Sequence, residues 1–142
     1  MKIYTSYFDN WKALVAKNVL VVSVTNRRPW GFTDMPVLSS LAPNLACRNA
    51  PPNKFLETYR KEVLGKSNPY MVYETLKTIS ITNDNADIAL CDFHKPSNFN
   101  YRRQIAMWLE QHLAIRVEEF PQQPTPTDVK INEKRTGTGE IG

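Results

Sequence analysis

The stretch that decides the fold is ADIALCDFHKPSNFNYRRQIAMWLEQHLAIRVEEF, residues 86–120, which has the pattern of a strand, a loop, a helix and a second strand. Residues 86–91 form a short apolar run, as is typical of a buried strand. Six residues of the middle segment fall largely on one side of a predicted helix: Ile105, Met107, Trp108, Leu109, His112 and Leu113. Alternating apolar and charged residues over 114–120 predict the closing strand of a βαβ unit.

The start of the chain predicts a second βαβ unit. Residues 2–8 have strand composition, and the β-branched run 19–24 indicates a strand buried on both faces. Asn10 is placed to cap a short helix between them, which ends at Asn18. Together the two units predict an α/β fold, a small Rossmann-like three-layer domain with a mainly parallel sheet of about four strands.

The middle and the end of the chain complete the predicted organisation. Residues 38–47 predict a helical turn, irregular chain and a short strand near Leu45, and helices follow at about 53–64 and 69–80. We therefore expect one α/β domain over residues 1–120. From Pro121 the composition shifts to Pro, Thr and Gly with few large apolar side chains, which predicts a flexible or partner-docked tail over 121–142.

Composition and charge limit the function classes. Hydrophobic residues make up 42% of the 142 residues, enough for one core. The net charge of +4 fits anionic ligands but is lower than a dedicated nucleic-acid binder usually carries. Two cysteines, Cys47 and Cys91, make no disulfide framework, and no long apolar segment is present. We therefore expect a reduced, cytoplasmic setting and no membrane contact.

Candidate functional residues collect where the predicted strands end. Ligands of open parallel sheets bind beyond the carboxyl ends of the strands, and the helix that follows residue 100 adds partial positive charge at its amino end. Asn98 or Asn100 is placed to cap that helix. The candidates for catalysis are Cys91 and Arg102, whose thiol and guanidinium we expect to face one opening. The candidates for ligand binding are Ser6, Tyr7, Asn26, Arg27, Arg28, Asp92, His94, Asn100 and Arg103.

Several candidates have an equally simple structural interpretation. Cys91 fits a small buried residue as well as a nucleophilic thiol. Arg102 and Arg103 oppose the dipole of their own helix, so we expect at least one of them to have a specific anionic partner. Trp30 and Phe32 fit residues that stack on a base, and Trp30 equally fits a loop residue that packs on the core.

Metal and cofactor motifs are not found in the sequence. Cys91 and His94 have a tolerable spacing for a metal, but the other cysteine and histidine are distant, so no metal site is predicted. The chain has no phosphate-binding P-loop, no dinucleotide fingerprint and no nucleophile elbow, and no cofactor is predicted.

Four segments carry a resemblance: IYTSYF at the start, the basic loop after VVSVT, YRKEVLGKSNPYMVYETL in the middle and residues 88–120. Over residues 1–120 they resemble the bacterial domain-of-unknown-function family numbered 488. That family typically has a strand ending in Cys, a Lys-Pro loop and then Cys-His-Arg opening a helix. Cys91, Lys95-Pro96 and Arg102 match this pattern, whereas Asn100-Tyr101 replaces the Cys-His pair. The resemblance implies a small Rossmann-like domain and, if that pair is catalytic, an altered or inactive member.

These observations lead to a functional hypothesis and two alternatives. The first is an enzyme, or an enzyme-derived domain, that binds a nucleotide or another phosphorylated or anionic ligand at the strand ends. The second is a non-catalytic module that binds a protein or a nucleic acid through the basic loop and the tail. The third is a structural subunit of a larger assembly. The sequence leaves open whether the protein is an enzyme.

Overall fold

The computed structural model describes residues 1–95 and 100–121 and places them in an α/β fold. Its sheet contains β1 (Ile3–Tyr7), β2 (Val19–Ser23), β3 (Asp87–Asp92) and β4 (Val117–Glu119). The strand order is β2-β3-β1-β4, and all three neighbouring pairs are parallel. The predicted small Rossmann-like domain with a parallel sheet of four strands is confirmed.

Five α-helices connect the strands within the described part of the chain. They are α1 (Trp11–Ala16), α2 (Leu45–Asn49), α3 (Phe55–Glu62), α4 (Pro69–Thr82) and α5 (Arg102–Leu113). Short 3-10 turns occur at Phe8–Asn10, Ser39–Leu41, Pro52–Lys54 and Leu64–Lys66. None of the described helices is both long and apolar enough to cross a membrane.

Individual residues set several of these helix ends. The side chain of Asn68 accepts hydrogen bonds from the backbone amides of Tyr70 and Met71 and so caps α4. Asn18, with φ of 58°, follows α1, and Ala114, with φ of 53°, ends α5 in the left-handed conformation. Asn18 and Ala114 thus turn the chain from α1 toward β2 and from α5 toward β4.

Two local predictions are wrong. Asn10 does not cap α1, because its side-chain amide donates instead to the Ser6 hydroxyl. No strand forms near Leu45, because the Asn44 side chain accepts a hydrogen bond from the Cys47 amide and thereby starts α2. Strand-like pairing occurs earlier, where Val37 bridges to the end of β2.

The sheet separates two hydrophobic clusters. Ile88 and Leu90 point into the larger cluster, which contains buried residues of α4 and α5, whereas Ala89 and Cys91 point into the smaller cluster beside α1. This division follows from strand geometry, since successive side chains alternate between the two faces. The two faces of the sheet are therefore covered by different helices.

The connections leave β1 and β3 in opposite directions. From β1 the chain passes through α1 to β2, which lies beyond β3, and from β3 it passes through α5 to β4, which lies beyond β1. Because α1 and α5 pack on opposite faces of the sheet, the chain leaves these two neighbouring strands toward opposite faces, the arrangement in which ligands of open α/β sheets bind at the carboxyl ends of the strands. We call this region, at the carboxyl ends of β1 and β3, the switch point.

Candidate functional site

A buried arginine lies at the switch point. Arg102, the first residue of α5, is only 1% exposed. Its Nη1 donates to Asp92 Oδ1 at 2.5 Å and to the His94 carbonyl oxygen, while Nε and Nη2 donate to the Glu119 carboxylate at 3.0 and 2.8 Å. Arg102 therefore ties together the end of β3, the turn that follows it and the end of β4.

The positive charge of Arg102 is compensated within the chain. One guanidinium faces the two carboxylates of Asp92 and Glu119. Burial acts to lower the pKa of Arg102, but the hydrogen bonds and charges of the two carboxylates outweigh it and raise that pKa. The expectation that one of the two arginines has a specific anionic partner is thus confirmed. Because that partner is internal, Arg102 is not available to hold an anion from solution.

The Asp92 carboxylate is less fully hydrogen-bonded than the Glu119 carboxylate. Its Oδ1 also accepts a hydrogen bond from the His94 amide at 3.0 Å, whereas its buried Oδ2 has no hydrogen-bond partner among the described residues. A buried acceptor without a partner costs about 1–3 kcal/mol. Burial accordingly raises the pKa of Asp92, and the nearby guanidinium of Arg102 opposes that rise.

The Cys91 thiol lies on the other face of the sheet from Arg102. It is fully buried among Phe8, Leu14 and other residues of the smaller cluster. Burial, followed by the charge of Asp92, raises its pKa well above the ordinary value, which is opposite to what a nucleophile needs. The expectation that this thiol and the Arg102 guanidinium face one opening is wrong, because adjacent residues of a strand point to opposite faces.

Ser6 and Tyr7 do not form an open floor for the site. Ser6 is fully buried, and its hydroxyl accepts a hydrogen bond from Asn10 Nδ2 at 3.2 Å. Tyr7 is 5% exposed, with its ring centroid 5.7 Å from the Arg102 guanidinium carbon. Burial and then the charge of Asp9 raise the pKa of Tyr7. Both side chains are therefore buried, and neither lines an exposed surface at the switch point.

Aromatic and cationic side chains join the ends of three strands at the surface. The guanidinium carbon of Arg27, which follows β2, lies 4.9 Å from the ring centroid of Phe93, which follows β3. The same Phe93 ring packs edge-on against Phe8, directly after β1, at 4.6 Å between centroids. The predicted convergence of these strand ends is therefore confirmed. Phe93 itself was not predicted as a site residue.

The loop after β2 is held by hydrogen bonds along its length. The Thr25 hydroxyl contacts the Arg27 carbonyl oxygen at 2.6 Å and the Ser23 hydroxyl at 2.9 Å. Arg28 Nε donates to the Met35 carbonyl oxygen at 2.6 Å. These bonds fix the backbone of the loop while leaving Asn26, Arg27 and Arg28 exposed.

Exposed cations surround the switch point without internal compensation. Arg27, Arg28, Lys95 and Arg103 are exposed and form no ion pair within residues 1–95 and 100–121. His94 is exposed beside them, and its backbone is fixed by Asp92 and Arg102 as described above. Exposed cations therefore lie on the segments next to a buried cluster whose one cation already has two carboxylate partners.

The amino end of α5 has the predicted cap. Asn100 Oδ1 accepts a hydrogen bond from the Arg103 amide at 3.3 Å. Asn98, the alternative cap, lies outside the described residues. Asn100 therefore has a structural role at the start of α5 in addition to any contact with a ligand.

Trp30 and Phe32 have different environments. Phe32 is partly buried, with its ring centroid 5.6 Å from that of Trp11, so Phe32 fastens the loop to the domain. Trp30 is 98% exposed. Of the two interpretations of Trp30, packing on the core is therefore wrong.

Glu119 is a site residue that the sequence did not identify. It holds two donors of Arg102 and accepts a hydrogen bond from the Thr5 hydroxyl at 2.7 Å. The available indication was its position at the carboxyl end of β4, where a parallel sheet brings strand ends together. Among the described residues, no group of three or more metal-binding side chains occurs.

Comparisons of the chain with protein-family models, curated protein sequences and solved structures find no match. The resemblance to the family numbered 488 therefore stays a prediction. The residues at the switch point and the exposed residues around it are therefore the basis on which a function is inferred.

Proposed function

We propose that this protein binds a nucleotide or another phosphorylated ligand at the switch point. The observation that carries the proposal is the contact between Arg27 and Phe93 at the carboxyl edge, which places an aromatic ring beside a guanidinium that has no ion pair among the described residues. An anionic group and a flat ring system are the two ligand features that such a pair recognises.

The charge distribution supports a phosphorylated ligand. Arg27, Arg28, Lys95 and Arg103 extend from three neighbouring segments, and each lacks a carboxylate partner within the described chain. Hydrogen bonds between a guanidinium and a phosphate are charge-assisted and often bidentate. Several such cations near one strand edge would hold a phosphate more tightly than any of them alone.

The exposed ring supports a ligand with a base. Phe93 is 45% exposed, and one of its contacts is the ring of Phe8. Stacking of a base on an aromatic side chain contributes about 1–3 kcal/mol. The turn that carries Phe93 is fixed, because Asp92 and Arg102 both bind the backbone of His94. The ring is therefore presented at little entropic cost.

We propose no reaction for the site. Cys91 is buried on the far side of the sheet, and Arg102 is neutralised by Asp92 and Glu119, so neither can act on a ligand at the rim. This leaves binding as the activity that the exposed groups can perform. Binding without catalysis also agrees with the altered Asn100-Tyr101 positions in the family resemblance.

The proposal is tested by fluorescence anisotropy with labelled adenosine triphosphate, competed by unlabelled adenosine triphosphate, ribose 5-phosphate and inorganic phosphate. We expect Arg27→Ala to weaken nucleotide binding about tenfold or more, since a hydrogen bond to a charged group contributes about 1.5–3 kcal/mol. Phe93→Ala should weaken the nucleotide but leave inorganic phosphate unaffected.

The matched control is Arg116→Ala, because Arg116 is an exposed arginine that precedes β4 at the opposite edge of the sheet. It should bind the nucleotide like the unmodified protein. If labelled adenosine triphosphate does not bind, or if both arginine variants lose binding equally, the proposed site is wrong.

A nucleic-acid strand is the other ligand that these groups could engage. Repeating the titration with a labelled single-stranded oligonucleotide over a series of salt concentrations separates the two cases. A steep linear fall of log affinity with log salt, together with weak competition by the mononucleotide, would replace our proposal with nucleic-acid binding.

A further inference from the structure

One tryptophan lies on the tip of a tight turn. Residues 29–32 form this turn, closed by a hydrogen bond from the Phe32 amide to the Pro29 carbonyl oxygen at 3.2 Å. Gly31 adopts φ of 90°, which a turn with a positive φ at its third position requires. Trp30 occupies the second position and is 98% exposed. We call residues 27–32 the Trp30 turn.

The Trp30 turn is anchored on both sides. Arg28 Nε donates to the Met35 carbonyl oxygen, and the Phe32 ring packs against Trp11. The indole therefore projects from a fixed backbone, flanked by an arginine. Tryptophan and arginine are the residues that most often dominate the binding energy of protein interfaces.

A cavity lies at the other end of the same edge strand. It has a volume of about 630 Å³ and is lined by the apolar side chains of Val15, Val19 and Leu20 together with the carboxylates of Asp84 and Asp87. Lys17 is the one cation among its lining residues, so the charged groups of the lining sum to −1. Binding cavities of about 300–1,000 Å³ hold drug-sized molecules. An indole ring is smaller than such a molecule, so this cavity has room for it.

The turn and the cavity are complementary in shape and charge. The turn is convex, aromatic and flanked by Arg27 and Arg28, whereas the cavity is concave, partly apolar and acidic. Val19 and Leu20 begin β2, and the Trp30 turn follows the end of β2. A displacement along the direction of β2 would thus bring the turn of one molecule to the cavity of the next.

We propose that the Trp30 turn binds the cavity beside Val15 and Leu20 of a second copy of this chain. Such a contact joins two different surfaces, so it is head-to-tail and leaves a free turn and a free cavity at the ends of each assembly. Because one turn and one cavity make a small interface, the association is weak and depends on concentration. The inference does not require the proposed ligand, although Arg27 and Arg28 belong to both surfaces.

The test is sedimentation equilibrium of the full chain over a range of concentrations at low salt. We expect the average mass to rise above that of the monomer as the concentration increases. Trp30→Ala, and Val15→Lys in the cavity, should each lower the association constant about tenfold or more. Both side chains are exposed, at 98% and 57%, so neither substitution should disturb folding. Met107→Ala removes another exposed apolar side chain, 49% exposed on α5, and should associate normally.

Mixing the two variants distinguishes a head-to-tail contact from other geometries. Trp30→Ala keeps an intact cavity, and Val15→Lys keeps an intact turn. An equimolar mixture should therefore form a heterodimer that grows no further, although each variant alone stays monomeric.

Three results would overturn the proposal. The first is an unmodified protein that stays monomeric at every concentration. The second is a Trp30→Ala variant that associates normally, or a Met107→Ala variant that loses association equally. The third is a mixture that stays monomeric while the unmodified protein associates, because an intact turn and an intact cavity would then be present without binding each other.

Discussion

Replacing Arg102 by Met tests the buried charge cluster at the switch point. The substitution keeps an unbranched side chain in the core but removes the donors that hold Asp92, His94 and Glu119. Losing these donors mainly destabilises the Asp92 carboxylate, which is fully buried. The Glu119 side chain is 35% exposed, so water can hydrate it instead. Removing one partner of a buried ion pair costs about 3–5 kcal/mol.

The expected loss is therefore about 3–5 kcal/mol in the free energy of unfolding, measured by urea denaturation with tryptophan fluorescence. The fluorescence includes that of Trp108, which is 9% exposed and reports on the core. Glu119→Gln should cost only about 1–2 kcal/mol, because it removes a partner that solvent can replace.

A second substitution separates the lost charge partner from lost packing. In Arg102→Met with Asp92→Asn, no unpaired carboxylate remains at the end of β3, so we expect part of the stability to return, about 1–2 kcal/mol. If the single variant lost less than about 1 kcal/mol, or if the double variant were no more stable than the single one, our description of the cluster would be refuted.

Three further predictions follow from the same structure. Cys47 and Cys91 are both fully buried, so neither thiol should react with Ellman's reagent in the native protein, and both should react in denaturant; fast reaction of either in the native state would contradict this placement. Ala114 adopts φ of 53°, so Ala114→Gly should raise the free energy of unfolding by up to about 1 kcal/mol in urea titrations, whereas a loss of stability would mean that the residue is not left-handed. Burial raises the pKa of Asp92 above its ordinary 3.8, so the folded protein holds the Asp92 proton more tightly than the unfolded chain does. The stability that this protonation contributes is fully present below pH 3.8 and is lost as the pH rises through the pKa of the folded state. Asp92→Asn should abolish this part of the pH dependence and exposed Asp34→Asn should keep it; equal profiles for both variants would show that Asp92 is not the group responsible.

The fold was predictable because its determinants are local. The β-branched run 19–24 and the apolar run 86–91 become β2 and β3, and Pro69 after Asn68 marks the start of α4. The strand order was not predictable from these patterns, since nothing in either run states that β3 lies between β1 and β2.

The site was predicted only in part, because a local sequence pattern gives neither the direction of a side chain nor its tertiary partner. Sequence position places Cys91 and Asp92 at one strand end, but only the direction of each side chain decides that the thiol and the carboxylate lie on opposite faces. The partner of Arg102 was expected as an anion, yet Glu119 is 17 residues away and meets it only after β4 pairs with β1. Contacts that depend on tertiary pairing do not appear in a local pattern.

The tail was predicted as a separate unit beginning at Pro121. Pro121 itself is described, and its carbonyl oxygen accepts a hydrogen bond from Asn10 Nδ2 at 3.1 Å. Residues 122–142 lie outside the described residues, so the prediction of a flexible or partner-docked tail stays a prediction. Pro121 follows the carboxyl end of β4, at the same edge of the sheet as the proposed ligand site.

The most direct test of the proposed ligand site is a two-dimensional ¹H–¹⁵N NMR titration of the labelled protein with adenosine triphosphate. We predict that the amide shifts concentrate in residues 26–28, 93–95 and 102–104, around the switch point, and saturate with one ligand per chain. Shifts confined to the opposite edge of the sheet, near residues 83–87, or no shifts at millimolar ligand, would contradict the account.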